Sequence, residues 1–347
     1  MILPITWPIT ETYQCCSFVM SVVLPYDNIK NFYDNNYILL SCVDADQLED
    51  IDLMFWDVSW EDLRKKGIME MDLYHVANFQ SNTLSDFIRE RIDQGNYVLL
   101  HLIDEFYLPY SVCYEAEHYI HDAYIYGYED EYFWVMAYSQ GKLKSLKVAA
   151  SDIESGIFSA AEREEDVFFC SLRPNHAVDV QVDYCQIKKM FESYLYGEKI
   201  IAEYLSSINN KDLIRIACDY SEFEEKCVYG IKIYEVLNRC LHTIIEQQDV
   251  DFDYISIKPF RILYEHKRVV YERISNILEH FGMSKEILLP FDDILTKSNR
   301  IFVLAIKYNM TREKNILERI VNYIDKLKER EVSLLENFLC EWGELFK

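Results

Sequence analysis

The chain has little glycine and proline, 9 and 7 in 347 residues. That excludes a collagen-like, low-complexity or linker-dominated polypeptide, each of which needs one or both in quantity. It has no CxxC and no Cys/His pair at zinc-finger spacing, so the signature of a structural zinc site is missing. No apolar run approaches the roughly 20 residues a membrane-spanning helix needs. The opening segment, MILPITWPITETYQ, has two prolines and no basic residue ahead of its first acid, and so does not read as a signal peptide. A Gly-rich phosphate loop, GxSxG and HExxH are absent as well.

What is present is core material. Half of the residues are apolar and 15% are aromatic, with 27 Tyr and 19 Phe, and the length suits two domains better than one. Ten cysteines lie scattered along the chain rather than in a framework, which fits small buried side chains in a reducing cytoplasm. Charge is unevenly shared. Residues 1–180 hold 11 Lys+Arg against 31 Asp+Glu, a net of −20; residues 181–347 hold 24 against 28, a net of −4. A field of that sign repels phosphate backbones, which argues against nucleic acid; it either favours a cationic partner such as an amine or serves solubility alone.

The local patterns divide the chain in the same place. Before about residue 175 the elements are short and mixed. Leu84, Phe87, Ile88 and Ile92 fall at helical spacing and end at Gly95, after which residues 96–106 read as a buried strand stopped by Leu108-Pro109. Residues 121–128 and 132–138 read as a hairpin around Glu129-Asp130-Glu131, with a third strand over 143–149 and a helix start at Ser151-Asp152. A further strand lies within 162–183. From 183 to 347 the apolar residues recur at i, i+3, i+4 and i+7, as in Ile187, Met190, Phe191 and Tyr194. Helices are expected near 183–208, 211–219, 222–248, 253–282 and 311–346, with 286–308 readable as strand or helix. The expected fold class is therefore α+β over residues 1–175, with an appended all-α helical domain over 183–347.

Chemistry concentrates in the first part. Gln14-Cys15-Cys16 precedes an apolar stretch, which puts a cysteine near a helix N-terminus, where the macrodipole favours the thiolate. His121 opens a strand, and the preceding strand ends in Asp104 and Glu105. The block YVLLHLIDEFYLP, then EHYIHDAYIYGYEDEYFWVMAY and a Gly turn, resembles the N-terminal domain of butirosin-biosynthesis protein H and, through it, the papain-like cysteine peptidases that process bacteriocin leaders. The likeness spans about residues 10–160, with the pattern strand-Asp, Tyr-Leu-Pro turn, His-x-x-His (His118, His121), strand and Gly-Tyr turn.

That resemblance implies a papain-like fold with Cys16 as nucleophile, Cys15 as its competitor and His121 as general base. Gln14 or the Cys16 amide would stabilise an oxyanion; Gln14, Cys15, His118 and Tyr107 would line the substrate site. Relatives place an orienting acid on the strand after the histidine. Here Ala137 and Ser139 fall at the corresponding positions, and neither is an acid. Alternation turns Asp122 to the face opposite His121; Asp104, at the end of the preceding strand, is the candidate orienting carboxylate.

The implied activity is thiol-dependent acyl transfer or amide processing in bacterial secondary metabolism. An acyl or peptidyl carrier protein and a small amine or peptide-like substrate would be the partners; no cofactor, metal or membrane is called for, and an oligomer is left open. Two rival readings stand beside it: a catalytically degenerate binding or scaffold protein, favoured by the missing acid, and a leader-trimming peptidase. His118 and His121 at i, i+3 lack a third ligand and do not make a metal site. The acids from Glu115 to Glu131 read first as a solvated rim and second as a docking surface for an amine.

Overall fold

The computed structural model describes residues 1–51, 53–56, 58, 60–80, 83–164, 166–196, 227–246 and 254–344. The chain forms two compact units, Met1–Phe32 with Ser59–Gln181, and Tyr33–Val58 with Val182–Lys347. The sequence pattern divides the chain once, near 175–183. In the structure the segment Tyr33–Val58 also clusters with the C-terminal residues.

The first unit is built on a six-stranded antiparallel sheet: β3 (Met69–His75), β4 (Tyr97–Asp104), β5 (Ile120–Glu129), β6 (Tyr132–Ser139), β7 (Lys142–Ala149) and β8 (Phe168–Pro174). Their order is β3-β8-β4-β5-β6-β7. Helix α1 (Gln14–Val23) covers one face. Its Phe18 stacks on Tyr124 at 5.1 Å, and Tyr124 in turn stacks on Tyr97 at 5.6 Å. Helices α4 (Leu84–Asp93) and α5 (Ala150–Arg163) cover the other face. There Phe87 of α4 meets Phe169, and Gly156 of α5 lies so close to Ile103 that a Cβ would come within 2.8 Å of its side chain. Phe18, Tyr97 and Tyr124 thus seal one face of this sheet, and Phe87 and Phe169 the other. A short helix, α3 (Trp60–Lys65), adds Trp60 to the Tyr124 stack.

The hairpin forms with a tighter turn than the sequence suggests. Glu129 pairs with Tyr132 around a two-residue turn, and a bulge between Ile125 and Gly127 then sets Tyr124 opposite Met136. Gly127 is required by a close approach: a Cβ there would sit 2.9 Å from the Ile2 Cα, where the N-terminal segment bridges to it.

In the second unit, β1 (Leu40–Val43) pairs with β2 (Met54–Phe55) and with β9 (Cys227–Tyr229), all antiparallel. Helix α2 (Asn31–Asn35) spans the passage between units. The remaining helices are α6 (Tyr184–Tyr196), α7 (Ile233–Glu246), α8 (Lys258–Phe281), α9 (Phe291–Thr311) and α10 (Lys314–Glu344). Residues 286–308 are therefore mostly helical, whereas Cys227–Tyr229, within an expected helix, is a strand. The helix expected over 211–219 lies outside the described residues. Gly282 closes α8 in the left-handed conformation at φ 62, as a C-terminal glycine does. Among the described residues, no helix is long and apolar enough to cross a membrane.

The interior of this unit holds a charged cluster. Lys267 is completely buried and gives its three N–H bonds to Glu331 Oε1 at 2.5 Å, Tyr194 Oη at 2.7 Å and His266 Nδ1 at 3.1 Å. Glu331 Oε2 accepts from Tyr234 at 2.6 Å, and His266 Nε2 donates to the Ile38 carbonyl at 2.7 Å. Every donor of the lysine is used, which is the condition for tolerating a buried cation.

Candidate active site

Cys15 and Cys16 sit in the first turn of α1, as the sequence suggests. No acid lies in that turn, and the Tyr13 side chain does not cap it. The two thiols differ in access: Cys15 is exposed, whereas Cys16 is 2% exposed and packed in the core. Their sulfurs are 3.9 Å apart. None of the nine cysteines among the described residues forms a disulfide. Gln14 is buried, and its Nε2 donates to the Asp122 carbonyl at 3.0 Å. It therefore tethers the cysteine-bearing turn to the head of β5, one residue past His121. The oxyanion role expected of Gln14 would have to be met with its one remaining N–H.

Three histidines lie around the end of β4 and the start of β5, and each has a carboxylate on its Nδ1. His118 Nδ1 lies 2.7 Å from Asp104 Oδ2, and its Nε2 lies 2.9 Å from Arg163. Phe106 stacks on the ring at 4.3 Å, with Tyr107 beyond at 6.4 Å. With both nitrogens engaged, His118 has no lone pair to offer a substrate, and Tyr107 belongs to its packing. His121 Nδ1 lies 3.1 Å from Glu105 Oε1, whose other oxygen accepts from Ser111 at 2.5 Å. His101 Nδ1 lies 3.0 Å from Asp122 Oδ1.

These distances correct the expected third role. Asp104 does not orient His121. Its two oxygens are taken by the Phe106 amide at 3.1 Å, by Ser159 at 2.7 Å and by His118. Burial pushes its carboxyl up, but those hydrogen bonds outweigh it and hold the group below the usual carboxylate range. The physical reason is the turn. Asp104 ends β4 and caps the following 3-10 turn Glu105–Tyr107, so neighbouring side chains diverge and Glu105, not Asp104, meets His121.

His101 was not singled out by the sequence, where it is one polar residue in the apolar run YVLLHLID. A bulge in β4 between Leu100 and Ile103 exposes its role: Leu102 stands at φ 68, and its amide lies 3.4 Å from Asp122 Oδ1. Of the sequence signals, only the notable isolation of a histidine in such a run pointed there. No group of three His, Cys, Asp or Glu among the described residues is arranged to hold a metal ion.

No family model matches the chain, and no curated protein matches it either.

Proposed function

We propose that the first unit is a papain-like, thiol-dependent acyltransferase or amide-processing domain acting from the first turn of α1. The observation that carries this reading is the Gln14 tether. It sets a helix start bearing two cysteines against a strand end with carboxylate-held imidazoles. The thiol proton passes to an imidazole Nε2, and the sulfur attacks a thioester or amide carbonyl. The leaving thiol or amine takes the proton, and an acyl-enzyme remains. An amine acceptor then forms the new amide as the C–S bond breaks and the sulfur is reprotonated. Exposure supports Cys15, rather than the expected Cys16, as the attacking thiol. The acidity of residues 1–180 favours a cationic amine as acceptor, and a carrier-protein thioester of secondary metabolism suits it as donor. Cysteines outside disulfides suit a reducing cytoplasm.

Residue-resolved labelling with iodoacetamide tests this, because Cys185 and Cys340 are exposed thiols of the same chain and serve as internal references. At pH 6.5, Cys15 is expected to alkylate about tenfold or more faster than either, as an activated thiol does. Equal rates at the three positions would sink the reading.

A further inference from the structure

We infer that His101, oriented by Asp122, is the imidazole that exchanges a proton with the α1 thiol, in place of His121. This rests on the thiol reading above and assigns its base.

The case begins with the two faces of the sheet. Tyr124 lies under α1, stacked on Phe18. Asp122 is two residues earlier on the same strand and shares that face. On β4, Leu99 is opposite Tyr124, and His101, two residues on, meets the Asp122 carboxylate there. His121 falls on the other set of positions. It is opposite Ile103, whose side chain packs on Gly156 of α5. Its carboxylate, Glu105, opens the turn that continues β4, and its ring lies on Tyr119. The face that carries the cysteines therefore carries His101 and Asp122.

The second argument is that Asp122 serves two partners at once. Its carbonyl holds Gln14 of the cysteine-bearing turn, and its carboxylate holds His101. One residue thus fixes the imidazole and the helix start relative to each other. An ionised carboxylate only accepts, so Nδ1 carries the proton and Nε2 keeps its lone pair. Among the described residues no hydrogen bond reaches that Nε2, and Phe168 supports the ring from β8 at 4.8 Å. Cys170, also on β8, is a titratable group that feels the Asp122 charge. Burial, then Asp122, pushes its thiol up to about 12, so it stays protonated and does not compete as a nucleophile.

The third argument is strain. Leu102 is a bulky residue held at φ 68, in a bulge that brings both its amide and His101 to Asp122. Such a conformation persists where surrounding contacts require it, commonly beside reactive groups.

The test is the Cys15 alkylation profile between pH 5.5 and 9 in the wild type and in His101→Gln, Asp122→Asn and His121→Gln, with Cys340 as reference. His101→Gln is expected to lower the Cys15 rate at pH 6.5 by about tenfold, toward that of Cys340. Asp122→Asn should fall in between, and His121→Gln should keep the wild-type profile. In His101→Ala, added imidazole should restore part of the rate, which a purely structural loss would not allow. If His121→Gln removes the enhancement and His101→Gln does not, the assignment is overturned while the thiol reading stands. If wild-type Cys15 shows no enhancement, both fall together.

Discussion

The two units handle buried polar groups in opposite ways. In the helical unit, Lys267, Glu331, His266, Tyr194 and Tyr234 form a closed set in which each donor of the lysine meets an acceptor. In the sheet unit, among the described residues, His101 and His121 are each held at Nδ1 only and are half-buried. A saturated network fixes a structure; an imidazole tied at one nitrogen is oriented and still able to take a proton. His118 shows the contrast within one unit. Tied at both nitrogens, it belongs with the structural groups although it sits among the reactive ones.

The largest expected effect breaks the closed set. Glu331→Leu leaves a buried ammonium without its counter-charge and is expected to cost about 3–5 kcal/mol, read by denaturant unfolding of the full chain. The double variant Lys267→Met/Glu331→Leu should recover most of that loss. A double variant as unstable as the single would show that the network acts through something other than charge compensation.

A smaller effect is expected at Asp104, where an amide accepts through one atom in place of two. Asp104→Asn should cost about 1–3 kcal/mol and leave Cys15 alkylation unchanged, since Asp104 serves His118. Its carboxyl lies below the usual range when folded. Its stabilisation is therefore present above the ordinary carboxylate value and lost as pH falls through the folded value. Acid unfolding of this variant should be less pH-dependent than wild type; a changed Cys15 rate would contradict the division of roles.

The mildest test concerns His266. Burial, then the neighbouring Lys267, pushes it well below the usual histidine range, against the Ile38 hydrogen bond. The folded state keeps it neutral while the unfolded chain protonates near pH 6.5, so stability should fall as pH drops below that value. The slope from one such group is at most about 1.4 kcal/mol per pH unit. His266→Gln should flatten it between pH 6.5 and 5; an unchanged slope would place the titration elsewhere.

Periodic segments were legible in advance. Leu84, Phe87, Ile88 and Ile92 mark α4, the apolar run from Tyr97 marks β4, and Gly282 marks the end of α8, because each is set by local repetition or local backbone preference. The three-stranded sheet was not legible. Its strands are two to four residues long, and Cys42 faces Val228 from far along the chain. Nothing local marks such a pairing. In the candidate site, Cys15, Cys16, Gln14 and His121 were visible as residue types near element ends. Which carboxylate meets which histidine was not, because Asp104 and Glu105 are neighbours and only the turn decides where each points.

By itself, then, the sequence determined a mixed first part, a helical second part and the strand ends at which histidines and acids gather, since hydrophobic period and charge are properties of short stretches. The tertiary structure alone decided that Cys15 is open and Cys16 closed, that Glu105 holds His121, and that His101 and Asp122 share the face of α1. The last two outcomes depend on one bulge at Leu102 and one turn after Asp104. Each reverses the direction of a side chain and leaves no trace in composition or spacing.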